Sequence, residues 1–597
     1  MKKTIFKNSI WAFIFLLGMM SCENDADFLK ETPSTFYTVD NAFSTSAQVD
    51  QVLVSIYSHI RDLWANPNED GWIFNFRGKG TDMYDVPIIR RGNTFSDYGN
   101  INPDNDTFYQ VYSTWYYVIA RANLAIYAAE LPQISWSSDS DKAYALAQAR
   151  FFRAFAYRNL AELFGGVPLV TEISTTPRYD FERTSRIATY QYAIDEMEAI
   201  VDDLPAITAS GGRLVKGAAQ HNLCELYLAL GTQLDADGNS GEAQAAYNSS
   251  VNYANNVIDG GTYSLINARF GSRADESTFT IDIYENGSTS NSVVDTLKLT
   301  PNYYWDLFQE GNVNYQDGNT ECIWAMQIDY AAYKAEDGKS KLPYSRTYGP
   351  VFRDVAGAHI TGTLENAGGR GISQANITMY ARDEVYADDW ASDMRNSEVV
   401  LRRRFKGNVS SSPYFKQVVP WNVMYKENEG EDTYRNSTSE IYPVSCKIAT
   451  DEYTGLADGE NRSNLFRDDY IIRLPETILL RAEAKQRLGN KAGAAADVNL
   501  LRSRSQCAYL VTADDMDDNF NTILDERARE LVYEECRWNT LLRMGGTIAV
   551  DRIRAHAHWP ETASTLTFDY NLWPIPQSVI DSNTEITLEQ NPGWTNR

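Results

Sequence analysis

Residues 149–170 read ARFFRAFAYRNLAELFGGVPLV. Phe152, Phe155, Ala156, Leu160, Leu163 and Phe164 recur at the three-and-four spacing that draws an apolar stripe down one side of an α-helix. Arg150, Arg153, Arg158 and Glu162 flank that stripe, placed to lay their stems along neighbouring helices and to bond to them. Gly165 and Gly166, with Pro168 just beyond, stop the helix: glycine accepts the positive φ of a helix C-terminus and proline cannot continue one. A helix so apolar, yet carrying four charges that need partners, belongs inside a scaffold of other helices.

Those other helices are legible outward from it. Val49, Leu53, Ile56, Tyr57 and Ile60 predict a helix from Ser46, and Tyr116, Ile119, Ala120, Leu124 and Tyr127 predict another over 115–131, with Asn123 as a polar contact inside its stripe. Two later segments share one design. NLCELYLALG (222–231) precedes the alanine-rich EAQAAYNSSVNYANNVI (242–258), and ILLRAEAKQRLG (478–489) precedes NKAGAAADVNLLRSRS (490–505). Each is a helix ending at Leu-Gly, then a second helix whose small residues permit close packing, as in tetratricopeptide units. RTSRIATYQYAIDEMEAIVDDLP (183–205) running into 212–231 predicts a third pair. The fold class is therefore all-α, with tetratricopeptide-like helix pairs. From Thr262 to Arg467 the periodicity fades and Gly, Asn, Ser and Tyr dominate. Such a long irregular region exceeds what a connector needs, so part of the binding function is expected there. The expected organisation is one domain over 46–597, its helical scaffold mainly 46–260 and 468–550 and its loop-rich region 262–467.

The N-terminus carries a processing signal. Lys2, Lys3 and Lys7 precede an apolar run, Ile10 to Met20, too short to span a bilayer but suited to a secretory h-region. Residues 1–21 are read as a lipoprotein signal peptide, with Cys22 of the lipobox-like MMSC as the lipidated residue and 22–45 as a tether. Met at both upstream positions departs from the usual lipobox. Acyl chains on Cys22 would hold the protein at a membrane without a spanning helix. Five further cysteines, Cys224, Cys322, Cys446, Cys507 and Cys536, form no C-x-x-C spacing and read as buried thiols. The chain is rich in Tyr (37) and Trp (13), and its net charge of -26 disfavours nucleic acid and anionic lipid and suits neutral or weakly charged ligands.

No catalytic constellation stands out. The five histidines are scattered and no H-E-x-x-H, G-x-S-x-G or phosphate-loop motif occurs. HAH at 556–558 offers two imidazoles without a third ligand and reads as solvated. DADGN at 235–239 resembles the start of a calcium loop but has Ser240 where glycine is required, so it reads as a turn between helices. Glu526, Arg527, Arg529, Glu530, Glu534, Glu535 and Arg537 read as a structural lattice, with Arg527 or Arg537 neutralising the like-charged pair Glu530 and Glu534. No cofactor and no metal is expected.

Six segments together resemble the SusD/RagB family of outer-membrane nutrient-binding lipoproteins: FLKETP (28–33), 149–172, 212–231, YIIRLPETILLRAEAKQRLG (470–489), ERARELVYEECRWNTLLRMG (526–545) and NLWPIPQSVIDSN with QNPGW near the C-terminus. Lys30, Leu474 and Pro475 depart from the common pattern. The resemblance implies a SusD-like fold, no catalysis, and a lipid-anchored position on the extracellular face of the outer membrane. It also implies a SusC-like TonB-dependent transporter as partner, facing the helix pairs, and an oligosaccharide or polysaccharide as ligand. Peptide capture of the RagB kind and glycoside hydrolysis are the alternatives. Sugars pack their C–H faces on aromatic rings and bond through hydroxyls, so exposed aromatics beside Asn, Asp and Arg are the candidates. Trp72, Arg77 and Asp82 in the first loop, Tyr98 and Asn100 in the second, and Tyr344, Tyr348 and Trp421 in the middle region meet that description, while Trp390 lies in a more structural context.

Overall fold

A computed structural model describes residues 41–66, 76–85, 95, 98–352, 359–424, 441–451, 453, 462–557 and 563–595. Residues 1–21, read as a signal peptide, Cys22 and most of the expected tether lie outside the described residues.

Eight helices stack side by side, each against its predecessor. They are α1 (Ser46–Ala65), α2 (Asp106–Glu130), α3 (Asp139–Phe164), α4 (Arg186–Glu198), α5 (Lys216–Ala236), α6 (Ser240–Ile258), α7 (Leu474–Arg487) and α8 (Lys491–Arg504). The α6–α7 contact joins parts of the chain more than two hundred residues apart, so the chain leaves the stack after Ile258 and re-enters it in the next place. Thr45 and Gln48 form a capping box at the start of α1. The second helix starts nearer Asp106 than 115, because its buried stripe extends back through Phe108, Val111 and Tyr112 and Asp106 complements the helix dipole. In the α5–α6 pair, a Cβ on Gly231 would sit 2.5 Å from the Tyr247 ring, and that tyrosine in turn bonds Asp235 at 2.9 Å. DADGN is thus the turn of a helix hairpin.

The opening stretch lies at the centre of this stack. Every residue from Phe151 to Phe164 is buried. Arg150 and Arg153 bond Glu196 of α4, at 2.9 Å and 2.5 Å, Arg158 pairs with Glu225 of α5, and Glu162 accepts from Asn539 at 2.7 Å. Gly165 has φ +76°, and a Cβ on Gly166 would lie 2.1 Å from the Thr184 carbonyl oxygen. Both glycines are required, the first by conformation and the second by the chain crossing over it.

Among the described residues eight strands pair as four two-stranded antiparallel sheets, all but β1 lying between α6 and α7: β1 (Tyr84–Asp85) with β5 (Asn376–Ile377), β2 (Phe279–Tyr284) with β3 (Val293–Leu299), β4 (Cys322–Met326) with β8 (Asp469–Arg473), and β6 (Leu401–Arg402) with β7 (Val444–Ser445). The β4–β8 pair closes the neck of this excursion, and β8 runs directly into α7. Phe279, Ile281, Ile283, Leu297, Trp305 and Phe308 give the excursion its own apolar core. Among the described residues α8 is followed by α9 (Asn521–Leu531), α10 (Arg537–Met544), which packs on α3, α11 (Ile548–His556) and the short α12 (Gln577–Ser582).

Charge clamps the excursion to the stack. Glu530 accepts from Arg473 at 2.8 Å, from Arg395 at 3.0 Å and from Arg504, while Glu534 accepts from Arg473 at 2.9 Å and Lys447 at 2.6 Å. The cations that neutralise this like-charged pair are therefore not Arg527 and Arg537. Those two turn to Glu535, with Arg537 also holding Asp82 and Arg527 reaching Glu476. Partners at i±3 and i±4 were the nearest in sequence, but burial selected cations from β8, α8 and the loops that could enter from the other side. Such a lattice is held by mutual compensation: each ion is costly to bury alone. His556 is likewise not solvated. Its ring lies 3.8 Å from that of Tyr380, and burial and Arg552 hold its pKa down at about 4; His558 lies outside the described residues.

Candidate ligand-binding surfaces

Five of the residues expected at the ligand site are interior groups. Arg77 donates to the backbone carbonyls of Trp64, Tyr533 and Glu534 at 2.9–3.0 Å and to the Tyr344 hydroxyl at 3.1 Å. Tyr344 donates onward to Asp469 at 2.8 Å, which also holds Arg467 at 2.7 Å. Tyr348 is packed among Tyr84, Tyr344 and Tyr533, and Tyr98 donates to the Gly80 carbonyl. Asp82 accepts from Arg537 and, at 3.2 Å, from Arg552; burial opposes its charge, but the two guanidiniums outweigh burial and hold the carboxyl well below the usual range. The structure brings these five together as a tyrosine–arginine interior, with no face turned to solvent. This corrects the expectation of surface contacts: rings and charges that look ligand-ready in a loop are here consumed by backbone carbonyls and opposing ions. Asn100 is exposed at the end of a short helix, Tyr98–Asn100. Trp421 is half-buried against the cluster of Phe352, Phe405 and Val419. Trp390 is 49% exposed with Arg403 stacked 4.5 Å over its ring, and Trp72 lies outside the described residues.

A cleft of about 260 Å³ opens in the excursion, between β2, β3 and the segments 398–402, 444–451 and 465–467. One wall is Arg273, whose guanidinium stacks 4.5 Å above the Trp305 ring and bonds Glu276 and Asp451 at 2.7 Å and 3.1 Å. The other wall carries Glu365, paired with Arg402 at 2.8 Å. Burial pushes the Glu365 carboxyl up to about 7 against the pull of Arg402, and its Oε2 is buried without a hydrogen-bond partner among the described residues. The Cys446 thiol on the same lining is raised to about 12 by burial, which removes it as a nucleophile near neutrality.

Phe466 lines this cleft and connects it to an aromatic platform. The rings of Tyr330 and Tyr333 meet its ring at 4.6 Å and 5.0 Å, and lie nearly parallel to each other, 18° apart with centroids at 6.1 Å. Local sequence explains the arrangement. Asp329 accepts from the backbone N–H groups of Ala331 and Ala332 at 2.7 Å and 3.0 Å, capping a short turn, Tyr330–Ala332. Three residues of helical advance then carry the second tyrosine round to the side of the first. Tyr330 is 38% exposed, and Lys334 and Lys341 each approach a ring of the pair at 6.0 Å. Two tilted-flat phenol rings beside charged and hydroxyl groups can receive the C–H face of a sugar and bond its edge. Neither tyrosine is among the residues expected from the sequence; the signal for them is Asp-Tyr-Ala-Ala-Tyr (329–333), a capping aspartate followed by tyrosines three apart.

Comparison with known proteins is consistent along the chain. Residues 275–594 match the family model described as SusD family, and residues 27–228 match one described as starch-binding associating with outer membrane. The chain is 23% identical to SusD-like protein P2 of Formosa agariphila, over 98% of this chain and 100% of that one. Among solved structures, a SusD homologue from Bacteroides thetaiotaomicron superposes with a TM-score of 0.67 at 16% identity, covering 93% of this chain and 98% of its own. Surface glycan-binding protein A from the same organism, solved in complex with laminarihexaose, superposes with a TM-score of 0.60 at 18% identity over 92% and 99% of the two chains. The family model spans more than half of the chain, and the chain belongs to the SusD family.

Proposed function

We propose that this SusD-family chain is a non-enzymatic, cell-surface glycan-binding lipoprotein. It captures oligosaccharide or polysaccharide and delivers it to a SusC-like TonB-dependent transporter, anchored through Cys22 on the extracellular face of the outer membrane. The observation that carries the ligand class is the Tyr330–Tyr333 platform joined through Phe466 to a polar cleft. Acidic composition, net charge -26, supports a neutral rather than an anionic ligand. The family and the laminarihexaose complex of a structurally similar protein support the same reading. Anchoring has the support of the N-terminal sequence alone; among the described residues no helix is long and apolar enough to cross a membrane.

The test is retardation of the mature chain in native gels containing neutral polysaccharides, laminarin and starch among them. Retardation by at least one is expected. Migration unaffected by every polysaccharide, with peptides co-purifying, would replace this function with peptide capture. One observation favours hydrolysis: Glu365 is raised to about 7, the state a general acid needs. Its pairing with Arg402 and its burial favour a structural carboxyl instead. Release of new reducing ends from the retarding polymer, abolished in Glu365→Gln, would establish the enzyme; none is expected.

A further inference from the structure

A second cleft, of about 620 Å³, lies on the outer side of α2 and shares no lining residue with the first. Its floor is Tyr112 and Tyr116, rings 4.9 Å apart, the former edge-on to Phe164 at 5.2 Å and the latter donating to the Pro168 carbonyl at 2.7 Å. Tyr109 and Tyr179 stand at its sides, 44% and 46% exposed, and neither phenol hydroxyl has a partner among the described residues.

The walls are fixed by backbone. Asn583 clamps Phe181 through two bonds, donating to its carbonyl at 3.0 Å and accepting from its N–H at 2.9 Å, and the Glu585 N–H donates to the Tyr179 carbonyl at 2.9 Å. The segment that leaves the Gly165–Gly166 stop is thus sewn to the C-terminal segment, holding the cleft open. Asp104 and Asp106 on the lining disfavour an anion, and the one cation among the described lining residues, Arg178, is paired with Asp180 at 2.9 Å. The volume falls in the range of roughly 300–1,000 Å³ typical of small-ligand sites. Apolar ring faces with unpaired hydroxyls at their edges match a ligand that is apolar on its faces and hydroxylated round its rim.

We propose that this cleft is a second glycan subsite, taking a neutral pyranose between Tyr109 and Tyr179. It rests on the glycan-binding reading of the chain. The test is isothermal titration of the mature chain with laminarihexaose, or with the hexasaccharide of whichever polymer retards it. Two sites per chain are expected. Tyr109→Ala/Tyr179→Ala should leave one, weakening the other by at least about tenfold through loss of ring contact, and Tyr109→Phe/Tyr179→Phe should weaken it less. Tyr330→Ala/Tyr333→Ala should also leave one. A single wild-type site that Tyr330→Ala/Tyr333→Ala abolishes, or binding unchanged in Tyr109→Ala/Tyr179→Ala, overturns the second subsite while glycan binding stands. Failure of every glycan to bind overturns both, and occupation of the cleft by a polypeptide, read from protection of Tyr109 and Tyr179 against nitration, overturns the sugar assignment.

Discussion

At the scale of single residues, the same side-chain types serve opposite ends. Asp82 and Arg77 sit in a loop rich in aromatics, which is where a glycan contact would be sought, yet both are spent inside the protein. Asp82→Ala would leave Arg537 and Arg552 buried around a missing charge. A loss of about 3–5 kcal/mol is expected, read by chemical denaturation, with no glycan-specific effect in what remains folded. Tyr330 and Tyr333 predict the reverse. Both lie at an edge of the fold, so Tyr330→Ala/Tyr333→Ala should leave the melting temperature within a few degrees of wild type and remove binding at the platform. Sequence alone could not separate these cases, because the difference lies in what approaches each ring from residues hundreds of positions away, such as Tyr533 against Tyr348.

At the scale of elements, periodicity carried most of the information. Phe152, Phe155, Leu160 and Leu163 predict α3 because a buried helix must repeat its apolar face every three or four residues, and the alanine-rich seconds predict the α5–α6 and α7–α8 pairs; α7 stops at Leu488-Gly489 as expected, whereas α5 runs through Leu230-Gly231 to Ala236. The region 262–467 gave no such repeat. Its strands are two to seven residues long and, apart from the local β2–β3 pair, join across distances that no local pattern encodes, as Cys322–Met326 does with Asp469–Arg473. Gly231 tests the helix-pair geometry. Alanine there would raise helix propensity by up to about 1 kcal/mol, but its Cβ would meet Tyr247 at 2.5 Å. Gly231→Ala is expected to destabilise by about 1–3 kcal/mol on balance, whereas Gly238→Ala, with open space around it, should lose only the strain of its φ of +84°.

At the scale of the whole molecule, buried charge makes stability depend on pH. Glu483 is held at about 2: burial opposes its ionisation, but Arg543 and Arg487 outweigh burial; Asp82 and Glu530 are depressed in the same way. Each is lower in the folded than in the unfolded chain, so its stabilisation is present above the ordinary value, 4.5 for the glutamates and 3.8 for Asp82, and is lost as pH falls toward the folded value. His59 and His556, held neutral at about 4 by burial and neighbouring arginines, withdraw stability between pH 6.5 and 4. Glu365, raised to about 7, acts oppositely: its contribution is full below 4.5 and is lost as pH rises through 7. The melting temperature should fall modestly from pH 6.5 and steeply below 4.5, as followed by circular dichroism. The same interior that unfolds in acid holds the excursion on the helical stack, and so holds the platform and cleft in place. The most direct test of glycan capture is therefore titration of the folded mature chain, at neutral pH, with the polysaccharide that retards it, beside Tyr330→Ala/Tyr333→Ala. Saturable binding by the wild type and affinity at least about tenfold weaker at the platform site in the double variant are predicted; binding by the double variant indistinguishable from wild type, or none by the wild type to any glycan, would contradict it.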